Sequence, residues 1–244
     1  MVHFLDPATG ERLRSVQVAA TNFMIWSFSS DLRWFVAWSW DRIGLICDMS
    51  NPSQVHRIPD YYPVIGIAGF SPDNRLLAYG TTNHDVVIWD LAAKRAKATL
   101  KGHRWWPFSV AFSPDGKWLA SGGQDGDVWL WSVDTAKPRF AAPLKANMGV
   151  VQQVAFSSDS RTLATLGRGP TMRWWSVATG REMLSFRSEY HSAAGVLDFS
   201  APGNSTGRLL LFYEEPGRVR VMTLPSLAEI DAAESQQART ARPR

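Results

Sequence analysis

Apolar and polar residues alternate at period two over short stretches of this chain, as in SVAF at 109–112, WLASG at 118–122, DVWLW at 127–131 and PRFAAPL at 138–144. Ser-Pro-Asp-Gly and Asp-Gly turns separate these stretches. Such alternation predicts short strands with side chains on opposite faces, joined as antiparallel hairpins. The pattern recurs: FSSD at Phe28, FSPD at Phe70 and Phe112, FSSD at Phe156 and a degraded FSAP at Phe199 follow one another at steps of 42, 42, 44 and 43 residues. A second marker lies 19 residues after each of the first four, at Cys47, Trp89, Trp131 and Trp175, and a longer loop places Met222 at the fifth.

Each period predicts one sheet of four short antiparallel strands. Because both faces of that sheet carry apolar residues, water is excluded only if another sheet stacks on each side. Radial stacking of twisted sheets meets this need and leaves only short edges. A period near 42 residues therefore predicts an all-β chain, a β-propeller of four-stranded antiparallel blades. The expected repeats lie near 19–58, 61–100, 103–144, 147–187 and 190–230, giving about five complete blades plus an N-terminal half blade. The one helical candidate is SLAEIDAAESQQA from Ser226 onward.

The sequence resembles the WD-repeat β-propeller family in Gly-His at 102–103, FSPDGKWLASGG at 112–123, DGDVWLW at 125–131 and VVIWD at 86–90. The resemblance spans roughly residues 1–231, and Ser132 stands where the family has Asp. It implies a hydrogen-bonded chain inside one blade, His103, Ser121, Asp125 and Trp131, that braces a loop corner rather than performing catalysis. The other copies depart from it. Ala19, Tyr61, Asn147 and Tyr190 occupy the His position, and Asp41, Asn83, Gly169 and Pro216 the Asp position.

The ends pose a counting problem. Residues 1–6 and 11–18 read as the third and fourth strands of a blade, so about 22 strands are expected where a seven-blade ring needs 28. The chain reads either as a five-blade ring with a displaced C-terminal helix or as the C-terminal portion of a larger propeller, and the second is preferred. Residues 232–244 are polar and rich in Gln and Arg, and are expected to form a disordered, solvated tail.

Charge narrows the function. Lys and Arg number 26 against 22 Asp and Glu in 244 residues, and Arg239, Arg242 and Arg244 supply most of the excess. The remainder is nearly neutral, which argues against a nucleic-acid or anionic-membrane surface. The single cysteine, Cys47, allows no internal disulfide and suits a reducing, cytoplasmic setting. There is no signal-peptide pattern and no apolar run of the ~18 residues that a span requires. His3, His56, His84, His103 and His191 lack metal-ligand spacing, and SGGQDG is a hairpin turn rather than a phosphate loop, so no metal and no cofactor is expected.

A fold does not name a function, so residues that the repeat does not require carry the functional expectation. Two to five places after His103, where the family has small or polar residues, this chain places Trp105, Trp106, Pro107 and Phe108, next to Arg104. Tyr61 and Tyr62 in the neighbouring corner, with Trp40 and Arg42 in a tight turn, are expected at the same end. Aromatic residues beside Arg have the composition of an interface hot spot. The leading expectation is a non-catalytic scaffold for a protein or peptide partner, as a module of a larger regulatory protein. The alternative, an enzyme with a site at the central channel, finds no general acid or base at the expected channel positions Met24, Gly66, Phe108, Gln152 and Gly195.

Overall fold

The computed structural model describes residues 2–5, 11–16, 23–39, 44–51, 55–58, 68–146, 149–167, 171–187, 208–212 and 219–223. The described residues form strands and turns and hold no helix, hence none long and apolar enough to cross a membrane. A hairpin, β1 (Val2–Leu5) with β2 (Arg12–Val16), comes first. Four antiparallel sheets follow, each a four-stranded meander in chain order. The first is β3 (Phe23–Phe28), β4 (Trp34–Ser39), β5 (Gly44–Asp48) and β6 (Val55–Ile58). The second is β7 (Gly69–Phe70), β8 (Leu76–Gly80), β9 (Val86–Asp90) and β10 (Arg95–Leu100). The third is β11 (Pro107–Phe112), β12 (Trp118–Gly123), β13 (Asp127–Ser132) and β14 (Leu144–Lys145). The fourth is β15 (Val151–Phe156), β16 (Thr162–Gly167), β17 (Thr171–Ser176) and β18 (Glu182–Arg187). A last hairpin pairs β19 (Arg208–Phe212) with β20 (Val219–Thr223). The rest of the fifth expected repeat, the helical candidate from Ser226 and the tail lie outside the described residues.

The period-two alternation sorts side chains between neighbouring sheets. In the second blade Leu77, Tyr79 and Val87 pack with Trp34, Val36, Ile46 and Ile58 of the first. Their sequence neighbours Leu76, Ala78, Val86 and Ile88 turn the other way and pack with Val110, Leu119 and Trp131 of the third. The third blade repeats the division, with Ala120, Val128 and Leu130 meeting Val151, Val154, Leu163 and Trp175 of the fourth. Stacked sheets thus share three cores, and no described blade can bury both faces alone. Cys47 fills the first blade's Trp position; it is buried and unpaired, and burial pushes its thiol up to about 12.

Close backbone approach holds the inner strands together. A Cβ on Gly80 would fall 2.7 Å from the Pro107 carbonyl oxygen, and one on Gly122 2.5 Å from Val151 Cγ1. The Ser109 hydroxyl accepts the Val154 N–H at 3.1 Å across the same junction as Gly122.

The F-S-x-D marker is a turn repeated four times. In each, a Ser hydroxyl donates to an Asp Oδ1 two residues on at 2.6 Å: Ser29 to Asp31, Ser71 to Asp73, Ser113 to Asp115 and Ser157 to Asp159. The same Asp oxygen accepts the N–H of Arg33, Arg75, Lys117 or Arg161. The residue between is left-handed in every copy, at Leu32, Asn74, Gly116 and Ser160. Two of these residues reach back to the preceding blade. Asn74 Oδ1 accepts the Ser30 N–H at 3.1 Å, and Ser160 Oγ accepts the Asp115 N–H at 3.0 Å.

One expected strand departs from the pattern. PRFAAPL at 138–144 alternates like an outer strand, yet β14 keeps only two residues beside β13. Pro138 and Pro143 lack the N–H that a ladder needs. An isolated bridge joins Trp131 to Pro138, Arg139 N–H donates to Leu130 O at 2.7 Å, and the chain then leaves the sheet. The excursion fastens the third blade to the fourth. The Arg139 guanidinium lies 4.3 Å over the Trp118 ring and donates to Ala178 O at 3.0 Å, while Phe140 sits against Gly180.

Candidate functional site

The third blade brings His103, Ser121, Asp125 and Trp131 together. His103, in the loop before β11, places Nε2 2.9 Å from Ser121 Oγ and Nδ1 3.3 Å from both Asp125 oxygens. Trp131 Nε1–H donates to Ser121 Oγ at 2.9 Å. Asp125 also accepts the Arg104 N–H at 2.8 Å and the Asp127 N–H at 3.2 Å. A carboxylate only accepts, so the imidazole proton belongs on Nδ1, and the Ser121 hydroxyl then donates to Nε2. Burial pushes the Asp125 carboxyl up; the His103 hydrogen bond and the two N–H groups outweigh it and hold the carboxyl below its ordinary range.

Ser121 therefore spends its one donor on His103 and accepts from Trp131, and at 0 % exposure its hydroxyl is closed off from solvent. Sequence reasoning did not single out two supports of this corner. A Cβ on Gly123 would lie 2.6 Å from both Asp125 Oδ1 and His103 Nδ1, and one on Gly102 would lie 2.8 Å from the Trp129 ring, which stacks on Trp131 at 5.2 Å. Both glycines stand in the quoted motifs, but the sequence does not show what the missing Cβ makes room for. A partial version in the fourth blade was also missed: Trp175 Nε1–H donates to Thr165 Oγ1 at 3.1 Å, a Trp and a hydroxyl at the same phase. In the second and first blades the hydroxyl position holds Tyr79 and Ala37, both buried in the stacked cores.

Beside this bracing lies the aromatic corner. Trp105 is 55 % exposed, whereas Trp106 is half-buried and its Nε1–H donates to Thr82 O of the second blade at 3.3 Å. His84, held at φ 68°, sets its ring 5.9 Å from Trp105 and 6.4 Å from Trp106, so the corner spans the junction of two blades. Phe108 lies apart from the loop, in β11, where the pairing with β12 jumps from Pro107↔Gly123 to Ser109↔Gly122. Arg104 Nη2 approaches Asp127 Oδ2 at 3.5 Å, and Lys145 Nζ donates to Asp127 Oδ1 at 2.6 Å. Tyr61, Tyr62, Trp40 and Arg42 lie outside the described residues. Among the described residues no group of three or more His, Cys, Asp or Glu side chains is placed to hold a metal ion.

Residues 53–90 and 94–132 match the WD40 family, described as WD domain, G-beta repeat. These two adjacent stretches are similar to WD repeats. The second matched WD repeat runs from β10, the outer strand of one blade, through β11, β12 and β13 of the next, so each repeat bridges two sheets. No curated protein matches the chain. Of the solved structures, 1511 chains share similarity, too many for the fold to select a function. A chain of the crystal structure of the mitotic checkpoint complex superposes with a TM-score of 0.71 at 18 % identity, covering 91 % of this chain and 67 % of its own length. At that identity the likeness establishes the propeller fold of this chain and nothing finer.

Proposed function

We propose that this chain is a non-catalytic interaction scaffold that receives a protein or peptide partner on the corner formed by Arg104, Trp105 and Trp106, with Phe108 of β11 included on its sequence position alone. Trp105 carries the reading: a side chain of this size, 55 % exposed on a rigid loop beside Arg104, is the composition and placement of a binding hot spot. The bracing beneath favours the same conclusion, because a braced loop loses little conformational freedom when a partner docks. Tyr61, Tyr62, Trp40 and Arg42 join the proposed surface on their sequence positions alone.

The non-catalytic reading is supported by Ser121, whose hydroxyl is buried and bonded in both directions. Unpaired, buried Cys47 suits the cytoplasm, where we place the protein. The nearly neutral body favours a protein partner over nucleic acid. The test is affinity purification with the wild-type chain and with Trp105→Ala plus Trp106→Ala, after both are shown to melt alike. Loss of specific partners from the double variant is expected; equal recovery overturns the proposal.

A further inference from the structure

The charges around the corner define the partner more closely, on the assumption that the scaffold proposal is correct. Among the described residues the two adjoining corners contain three acidic groups. Asp125 is committed to His103 and the Arg104 N–H. Asp127, its side chain 4 % exposed, takes the Lys145 ammonium in a tight 2.6 Å contact. Asp85 is half-buried at the matching position of the second blade. Against these stand Lys145, exposed Lys101 and Arg104.

Arg104 is the cation with its binding capacity left over. Its side chain is 69 % exposed, and its one anionic contact among the described residues, to Asp127 Oδ2, is 3.5 Å long, beyond a good charge-assisted hydrogen bond. A guanidinium presents five donors in a planar fork that matches a carboxylate. What the corner shows to solvent is thus a largely exposed, loosely paired fork next to an exposed indole, with the balancing carboxylate hidden underneath.

We infer that the third-blade corner binds an acidic peptide segment, one carboxylate forking onto Arg104 while an adjacent large apolar side chain lies on Trp105.

The experiment is binding of the full chain to an array of random-sequence dodecapeptides, followed by fluorescence anisotropy on labelled Glu-Glu-Phe-Glu-Glu and Lys-Lys-Phe-Lys-Lys. Enrichment of acidic peptides carrying a large apolar residue is expected, as is binding of the glutamate peptide over the lysine peptide. Arg104→Gln should weaken the glutamate peptide about tenfold or more. Asp127→Asn, which keeps the shape and removes the hidden charge, should tighten it; a purely structural Arg104 would not respond that way. Arg33→Gln, on the first blade's turn, serves as the distal control and should change nothing.

Enrichment of neutral or basic peptides that is abolished by Trp105→Ala overturns the acidic assignment and leaves the scaffold proposal standing. Peptide binding unaffected by Trp105→Ala plus Trp106→Ala, or no binding at all, removes both. Displacement of the glutamate peptide by an oligothymidylate at equal charge moves the site to nucleic acid and overturns the inference.

Discussion

Trp131 Nε1 and Ser121 Oγ lie 2.9 Å apart, on neighbouring strands of the third blade and away from water. Ser121→Ala removes the partner of two buried groups at once, the Trp131 N–H and His103 Nε2. A loss of about 1–3 kcal/mol is expected, which corresponds to a fall of roughly 2–4 °C in melting temperature per kcal/mol for a chain of this size. Thr165→Val in the fourth blade strips the Trp175 bond and a long, 3.4 Å donation to Arg173 O, leaves one buried N–H without its partner and should cost less, about 1 kcal/mol. Urea denaturation of both variants checks the order.

Gly123→Ala and Gly116→Ala separate crowding from backbone preference. At Gly123 the new Cβ meets Asp125 Oδ1 and His103 Nδ1 at 2.6 Å, so the bracing must shift, at about 2–4 kcal/mol. At Gly116 nothing lies within 4 Å, and only the left-handed φ of 71° resists, at about 1–2 kcal/mol. Denaturant midpoints should rank the variants in that order.

Acid should loosen the turns. Asp31 is held below its ordinary value of 3.8, chiefly by the Ser29 hydroxyl; at Asp73 and Asp115 burial pushes upward, and the Ser71 or Ser113 hydroxyl with a backbone N–H outweighs it. Asp125 is lowered as well. A carboxyl with a depressed folded pKa contributes stability that is fully present above its unfolded value and disappears as pH falls through the folded one. Unfolding free energy should therefore be flat from neutrality to about pH 5 and decline below about pH 4. A curve that rises on acidification contradicts the assigned turns.

Arg139 predicts a distinction between packing and charge. Arg139→Ala removes the stack on Trp118 and the bond to Ala178 O, with an expected loss of about 1–2 kcal/mol. Arg139→Met restores apolar cover over Trp118 and should recover part of the loss, because long side chains stabilise through their stems as well as their heads. Thermal melts of the two variants test this.

The propeller architecture was legible because period and phase both repeat. Ser29, Ser71, Ser113 and Ser157 each precede an Asp by two residues, and the turn they build is local chemistry that four copies spell alike. Leu76 and Leu77 adjoin in sequence and enter different cores, as alternation requires. The shortening of the third blade's outer strand was less legible: PRFAAPL alternates correctly, and only the lost donors of Pro138 and Pro143, with the pull of Trp118 on Arg139, cut it to Leu144–Lys145. At the corner, the chain showed that Trp105 and Trp106 adjoin, but not that one faces water while the other is tied to Thr82. The approach of His84 to both indoles was hidden too, since it depends on how two blades meet.

A WD repeat here supplies the outer strand of one sheet and the inner three of the next, so the unit of inheritance and the unit of folding are offset by one strand. A fragment ending at residue 93 would strip β10 from the second sheet and leave β9 with a bare row of backbone donors and acceptors, an adhesive margin prone to pairing between molecules. Shortening such a chain at the borders of its genetic modules would therefore yield aggregates, whereas a break beyond an outer strand would keep each sheet whole.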